Sequence, residues 1–189
     1  MSDFSANADW YLMRGSGVVS LVLLTAVIVL GVATVRRWHP ARRPRFVTAS
    51  FHRAISLLSV VFLGVHVVTA IADPYAGVAV AAIVVPFVAA KSAFWVGLGA
   101  LSLDAVGALI ISSLLRPRIP LRLWRAIHWF AYLAWPLALA HSVGMGSDAS
   151  SLWLEVVAGV CVVAVGASVV WRLNVERGIK HLAPPVVPA

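Results

Sequence analysis

The sequence predicts an all-α integral membrane protein, a helical bundle with five transmembrane helices, and three observations support this fold class. Hydrophobic residues make up 61% of the 189 residues, charged residues only 12%, and the mean hydropathy is +0.95. This composition is not that of a soluble globular domain. Runs of about 20 apolar residues, each long enough to cross a bilayer, recur five times, and the basic residues are gathered between them.

These runs define the predicted helices. They lie at about residues 10–35, 48–72, 93–115, 123–143 and 152–173. The stretch 74–91 is also apolar, but Pro86 interrupts it, and a sixth crossing there would move the basic segment 116–125 to the other side of the membrane. We therefore expect an outer loop with a short interfacial helix at 74–91. Residues 182–189 are expected to form a disordered tail, and the chain is predicted to be one domain over residues 1–189.

The lysine and arginine residues predict the orientation. They cluster at 36–45 and 116–125, and the positive-inside rule places both segments in the cytoplasm, with the N-terminus outside and the C-terminus inside. In a soluble protein a net charge of +8 would suggest a nucleic-acid partner, but here the charges flank apolar runs. We predict a multi-pass protein of the plasma membrane that contacts lipid and no nucleic acid. The single cysteine, Cys161, excludes a disulfide framework, a CxxCH motif for covalent haem and a cysteine cluster for iron–sulfur or zinc.

Two of the predicted spans each carry two histidines. His52 and His66 are fourteen residues apart on the second span, which at 1.5 Å per residue separates them by about 21 Å. His128 and His141 are thirteen residues apart on the fourth span, a separation of about 20 Å. Because one span lies between these two helices they run parallel, which pairs His52 with His128 near the cytoplasmic face of the membrane. For the same reason His66 pairs with His141 near the outer face.

Each pair can supply both axial ligands to one haem iron, and iron closed on both sides suits electron transfer better than oxygen binding. A bare zinc ion is a poorer match because no cysteine, glutamate or aspartate lies beside the histidines to complete a tetrahedral site. A single histidine in a membrane helix often only hydrogen-bonds to a neighbouring helix. Four at two matched depths favour metal ligation, so the sequence predicts two stacked haems.

Helical phase supports this pairing on one helix only. Fourteen residues bring His66 back to within about 40° of the face of His52, but thirteen leave His141 well off the face of His128 in an ideal helix. Pro136 lies between the latter two, and a proline inside a membrane helix removes a backbone hydrogen bond and changes the local winding. We expect the correction at Pro136.

Four segments of the chain carry a resemblance to a known family. They are Trp10–Gly17, Phe51–Arg53, Trp124–Trp129 and His141–Asp148. Together with the two histidine spacings they resemble the ferric reductase-like transmembrane domain of ferric reductases, NADPH oxidases and the haem-binding membrane subunit of the bacterial methionine sulfoxide reductase system, and in particular its small actinobacterial-type members. The resemblance covers about residues 10–173. It implies that all four histidines are axial ligands of two b-type haems.

Other polar residues could assist such a site. Arg53 and Arg125, at the inner ends of the histidine-bearing helices, could meet the propionates of the inner haem, although positive-inside anchoring explains both almost as well. Arg14, near the outer end of the first helix, could meet the propionates of the outer haem. Asp104, near the middle of the third span, is expected to handle a proton or to hydrogen-bond to a ligand imidazole. A neutral carboxyl bonded to a neighbouring helix is the alternative.

The predicted function is transmembrane electron transfer through two haem b groups, as the membrane haem component of an oxidoreductase, with no catalytic residue of its own. Many relatives carry a flavin and nicotinamide domain after the last helix and six spans, whereas this chain has no nucleotide-binding motif. We therefore expect electrons from a flavin-containing reductase or FMN-binding protein, or from membrane quinol, so that FMN or quinone is a further cofactor. The alternatives are a haem-binding sensor or assembly module without turnover and a small proton-coupled transporter.

Overall fold

The computed structural model describes residues 2–35, 45–74, 76–145 and 151–182, and all regular structure in these ranges is helical. The helices are α1 (Ser2–Val35), α2 (Arg45–Ala72), α3 (Ala81–Val84), α4 (Ala93–Leu114), α5 (Leu121–His128), α6 (Ala131–Gly144) and α7 (Leu152–Leu182). The predicted all-α class is therefore confirmed. The predicted basic segment 36–45 lies outside the described residues except for Arg45, which begins α2. The predicted tail also lies outside them, except for Leu182, which ends α7.

Four of the described helices are long and apolar enough to cross a membrane. Their apolar stretches are Asp9–Thr34 in α1, Val47–Ala72 in α2, Ala93–Leu114 in α4 and Leu152–Asn174 in α7. The span predicted at 123–143 is not one continuous helix, because it is divided between α5 and α6. Five continuous spans are thus not found, and a fifth crossing made by α5 and α6 together stays a prediction.

The junction between α5 and α6 is a tightened turn. The N–H groups of Trp129, Phe130, Tyr132 and Leu133 each donate to the carbonyl three residues earlier, at 2.9 to 3.2 Å. This is the 3₁₀ pattern, with about 3.0 residues per turn instead of 3.6. Pro136 lies inside α6, and its missing N–H frees the carbonyl of Tyr132. The departure from ideal winding therefore precedes the proline, where we had expected it at the proline itself.

Helix α1 lies at the centre of the bundle and packs against α2, α6 and α7, while α4 packs against α6. One buried cluster joins α1, α6 and α7, and it consists of Leu21, Ile28, Trp135, Cys161 and Val165. A second joins α4 to α6 through Ala105, Val106 and Ala134. Many large apolar side chains of α2 and α7 stay exposed, as expected for helix faces that meet lipid.

Hydrogen bonds between helices accompany this packing. The indole Nε1–H of Trp135 donates to Oγ1 of Thr25 at 2.8 Å, which ties α6 to α1. The hydroxyl of Ser102 donates to the carbonyl of Ala134 at 2.9 Å, which ties α4 to α6. Both bonds are buried, and small polar residues commonly link membrane helices in this way.

The segment between α2 and α4 folds back on one end of the bundle. It contains α3, and Ala82 and Ala89 of this segment form a buried cluster with Val96 of α4. Phe87 contacts Gly97 of α4 through its ring and its backbone. The segment therefore covers the same end of α4 that carries Trp95 and Gly99.

Candidate functional site

The structure brings the four histidines together in two pairs. The ring centroids of His52 and His128 are 6.5 Å apart with an interplanar angle of 61°. Those of His66 and His141 are 6.2 Å apart with an angle of 77°. All four rings are half-buried. Helix α2 supplies one member of each pair, and the other two come from α5 and α6.

The tightened turn explains how α5 and α6 present both histidines to α2. Thirteen residues of ideal α-helix fall about 140° short of four full turns, which would leave His141 away from the face of His128. Each residue in a 3₁₀ turn advances about 20° further than in an α-helix, so a turn of about five residues recovers about 100°. The junction at Trp129–Phe130 thus supplies most of the missing rotation.

The ring distances match coordination of one metal by two imidazoles. When both nitrogens lie about 2.0 Å from a first-row metal, the two ring centroids are about 6.3 Å apart. The observed values of 6.5 and 6.2 Å lie on either side of that figure. Within the described parts of the chain, no three His, Cys, Asp or Glu side chains cluster closely enough to hold a bare ion. Each pair therefore offers two imidazole nitrogens, and no third side chain of these types completes a site among the described residues.

Backbone carbonyls orient three of the four rings. Nδ1 of His66 lies 2.8 Å from the carbonyl oxygen of Met13, and Nδ1 of His52 lies 3.1 Å from that of Val27. Nδ1 of His141 lies 2.9 Å from the carbonyl oxygen of Trp95. Because a carbonyl only accepts hydrogen bonds, these contacts place the proton on Nδ1 and leave the lone pair of Nε2 for a metal.

His128 is held differently. Its ring stacks on Trp124 with centroids 4.6 Å apart and an interplanar angle of 24°. Its Nδ1 is buried and has no hydrogen-bond partner among the described residues, and the same is true of Nε1 of Trp124. The four histidines therefore differ in the contacts that hold their rings.

A cavity of about 500 Å³ lies beside one of the pairs, a volume in the range of cofactor and ligand pockets. Its lining includes His66 and His141, and also Arg14, whose guanidinium lies 4.9 Å from the ring centroid of Trp10. Most of the lining is apolar. The structure therefore places Arg14 at the cavity, and its predicted contact with a haem propionate stays a prediction.

The other predicted site residues lie apart from this cavity. Arg53 and Arg125 are exposed, and neither lines it. Asp104 is exposed beside a smaller cavity of about 210 Å³ that Phe130 and Leu133 also line. The described residues offer the Asp104 carboxylate no hydrogen bond, and its position on α4 is about 140° around the helix from Gly99, which faces His141. The expected bond from Asp104 to a ligand imidazole is therefore not found.

Three glycines lie against histidine rings, and the sequence analysis did not predict that they hold these rings. Gly17 and Gly31 of α1 lie against His66 and His52, and Gly99 of α4 lies against His141. A signal was present in the sequence, because Gly17 and Gly31 are fourteen residues apart, the same spacing as the two histidines of α2. Because α1 and α2 are antiparallel and in contact, equal spacings on the two helices place each glycine opposite one histidine.

Comparison with known proteins identifies the family. The sequence model of the ferric reductase like transmembrane component matches residues 16–139. The chain belongs to this family. The match begins in α1 and ends in α6, so it contains three of the four paired histidines and stops two residues before His141. No curated protein and no solved structure matches the chain.

Proposed function

We propose that this member of the ferric reductase-like family transfers electrons across the membrane through two b-type haems. His52 and His128 would be the axial ligands of the inner haem, and His66 and His141 those of the outer haem. The observation that carries the proposal is the pair of ring separations, 6.5 and 6.2 Å, which suit one metal between each pair of imidazoles. Haem bound there would supply one-electron chemistry at its iron, and each pair would hold it through two imidazole nitrogens.

The protein's own residues hold and orient these ligands. The carbonyls of Met13, Val27 and Trp95 fix three rings with Nε2 directed away from the backbone. The larger cavity near His66 has a mostly apolar lining, and the Arg14 guanidinium would offer donors for a propionate there. The two pairs are about 21 Å apart along α2, which spans most of the hydrocarbon core.

The orientation and partners follow from charge. Five crossings, with α5 and α6 together as one of them, place the basic segment around Arg116–Arg125 in the cytoplasm and the N-terminus outside. That surface suits an acidic soluble donor, such as a flavin-containing reductase or an FMN-binding protein, and membrane quinol is the other donor. The acceptor lies outside the plasma membrane. Of the alternatives, a proton-coupled transporter gains little support, because the Asp104 carboxylate has no hydrogen bond to a histidine among the described residues.

The test is spectroscopic. Full-length protein purified in detergent is expected to give a b-type spectrum on reduction with dithionite, with about two haems per chain by the pyridine haemochrome assay. In proteoliposomes, a reductant enclosed inside is expected to reduce a ferric chelate outside only when the protein is present. Absence of a b-type spectrum from protein expressed with excess haem would contradict the proposal.

A further inference from the structure

Three of the histidines share one detailed arrangement with the neighbouring helix. Each hydrogen-bonds through Nδ1 to a helix carbonyl, and its ring lies against the glycine four residues later in that helix. The carbonyl and glycine pairs are Met13 and Gly17 for His66, Val27 and Gly31 for His52, and Trp95 and Gly99 for His141. Two of these pairs lie on α1 and one on α4.

The spacing of four has a physical reason. In an α-helix the carbonyl of one residue already accepts the N–H of the residue four positions later, so an outside donor must approach its second lone pair. Helical side chains lean toward the N-terminus and cover the turn before them. A side chain at the fourth position would therefore cover the carbonyl that the imidazole needs. Glycine leaves it accessible.

The distances show how closely each ring approaches. A methyl group added at Gly99 would lie 2.7 Å from Nδ1 of His141, and one added at Gly17 would lie 3.0 Å from Nδ1 of His66. A methyl group at Gly31 would lie 3.4 Å from Cε1 of His52, close to an ordinary contact. By contrast, a methyl group at Gly64 or Gly107 would meet nothing within 4 Å. Gly97 and Gly144 also have close ring neighbours, but these are Phe87 and Trp95. Among the described glycines, only those that follow the three carbonyls lie against a histidine ring.

The fourth histidine lacks this arrangement. His128 has a stacked Trp124 in place of a helix carbonyl, and its Nδ1 is unpartnered among the described residues. A hydrogen bond from Nδ1–H to a carbonyl fixes the ring and makes the imidazole a stronger ligand. The His66–His141 pair has two such bonds, and the His52–His128 pair has one.

We propose that Gly17 and Gly99 are positioning residues that hold His66 and His141 in place for haem, with Gly31 acting in the same way but less strictly on His52. The His66–His141 pair consequently binds its haem more tightly than the His52–His128 pair. This inference rests on the proposed function, because it concerns how the ligands of that function are supported.

The experiment compares five single alanine variants of the full-length protein. Gly17→Ala, Gly31→Ala and Gly99→Ala change the glycines that face histidines, and Gly64→Ala and Gly107→Ala are the matched controls. Each is measured for haem retention and for the EPR spectrum of the oxidised protein, which depends on the angle between the two imidazole planes. Melting of haem-depleted protein is recorded as well.

The expected order follows the distances. Gly99→Ala is expected to weaken haem binding about 10- to 100-fold, as loss of a hydrogen-bonded ligand support typically does. Gly17→Ala should have a smaller effect in the same direction, Gly31→Ala little, and the two controls none. The EPR signal of one haem should shift in Gly17→Ala and Gly99→Ala, and only these two should melt at a lower temperature when haem-free.

The outcomes separate the two proposals. If wild-type protein binds no haem, the proposed function is wrong. The melting temperatures of the haem-depleted variants would still show whether Gly17 and Gly99 lie in close contact with the histidine rings. If wild-type protein binds haem and the controls lose as much of it as Gly99→Ala, the positioning role is wrong. An unchanged EPR spectrum and full haem retention in both Gly17→Ala and Gly99→Ala would also overturn it. If Gly99→Ala does not fold, the milder contact at Gly17 carries the test.

Discussion

Replacing Thr25 by valine is expected to destabilise the bundle without changing its shape. The Thr25 hydroxyl accepts the indole N–H of Trp135 at 2.8 Å and donates to the carbonyl of Leu21 at 2.9 Å. Valine has nearly the same volume, so the substitution removes the hydroxyl and leaves the Trp135 donor unpaired. Thr25 is 7% exposed and Trp135 is 8% exposed, so water cannot replace the lost partner.

The magnitude follows from the burial of that donor. An unsatisfied buried donor costs about 1–3 kcal/mol, and measured hydrogen bonds between membrane helices average about 0.6 and reach about 1.7 kcal/mol. We expect a loss of about 1 to 2 kcal/mol, a factor of about 5 to 30 in the folding equilibrium. Reversible unfolding in mixed detergent micelles, followed by helical circular dichroism, measures it.

Two variants serve as controls. Thr25→Ser keeps the hydroxyl and should retain most of the stability. Thr34→Val removes an exposed hydroxyl of the same helix, whose one bond within the described residues is to the carbonyl of Leu30 at 2.8 Å, so it should have little effect. If Thr25→Val unfolds at the same detergent composition as Thr34→Val, the link between α1 and α6 does not contribute as described.

Three further predictions concern the site. Tyr132→Phe removes the hydrogen bond that Arg172 donates to the Tyr132 hydroxyl at 2.7 Å, beside the tightened turn. It should alter the EPR signal of the His52–His128 haem alone. An unchanged signal would mean that this bond does not determine the conformation of the turn. Asp104→Asn should leave both haems bound in the pyridine haemochrome assay, because the carboxylate contacts neither pair, and loss of a haem would contradict this placement. Arg14→Gln should make one of the two haems dissociate several-fold faster in transfer to apomyoglobin, since the cavity loses a charged donor, and an unchanged rate would remove Arg14 from the site.

The arrangement of the histidines in two pairs could be predicted from the sequence because the rise per residue of a helix is nearly constant. Fourteen residues on α2 and thirteen across α5 and α6 fix the axial levels regardless of side-chain detail. The location of the tightened turn could not be predicted in the same way. Several neighbouring residues have backbones that can adopt either winding, and no residue type in the sequence marks Trp129–Phe130 as the position of the turn. Pro136 was the residue that indicated irregular winding in this span, but it lies after the tightened turn, inside α6.

The carbonyl and glycine contacts that hold the histidine rings could not be predicted from single positions in the sequence either. A helix carbonyl belongs to every residue type, so nothing in the sequence marks Met13 or Trp95 as a hydrogen-bond acceptor. The glycines become informative only in relation to the partner helix, through the fourteen-residue spacing of Gly17 and Gly31. Asp104 illustrates the opposite case, because this conspicuous residue is exposed and has no hydrogen bond to a histidine among the described residues. Its ligand-related role was inferred from depth alone.

The measurement that tests the central claim most directly is the haem content of His141→Ala. His141 lies beyond the segment that matches the family, so its role as a ligand rests on its position 6.2 Å from His66 and on its bond to the carbonyl of Trp95. Two bis-histidine haems predict that this variant retains about half of the wild-type haem, with the signal of the His52–His128 haem unchanged. Retention of the full wild-type haem content and spectrum would contradict the claim.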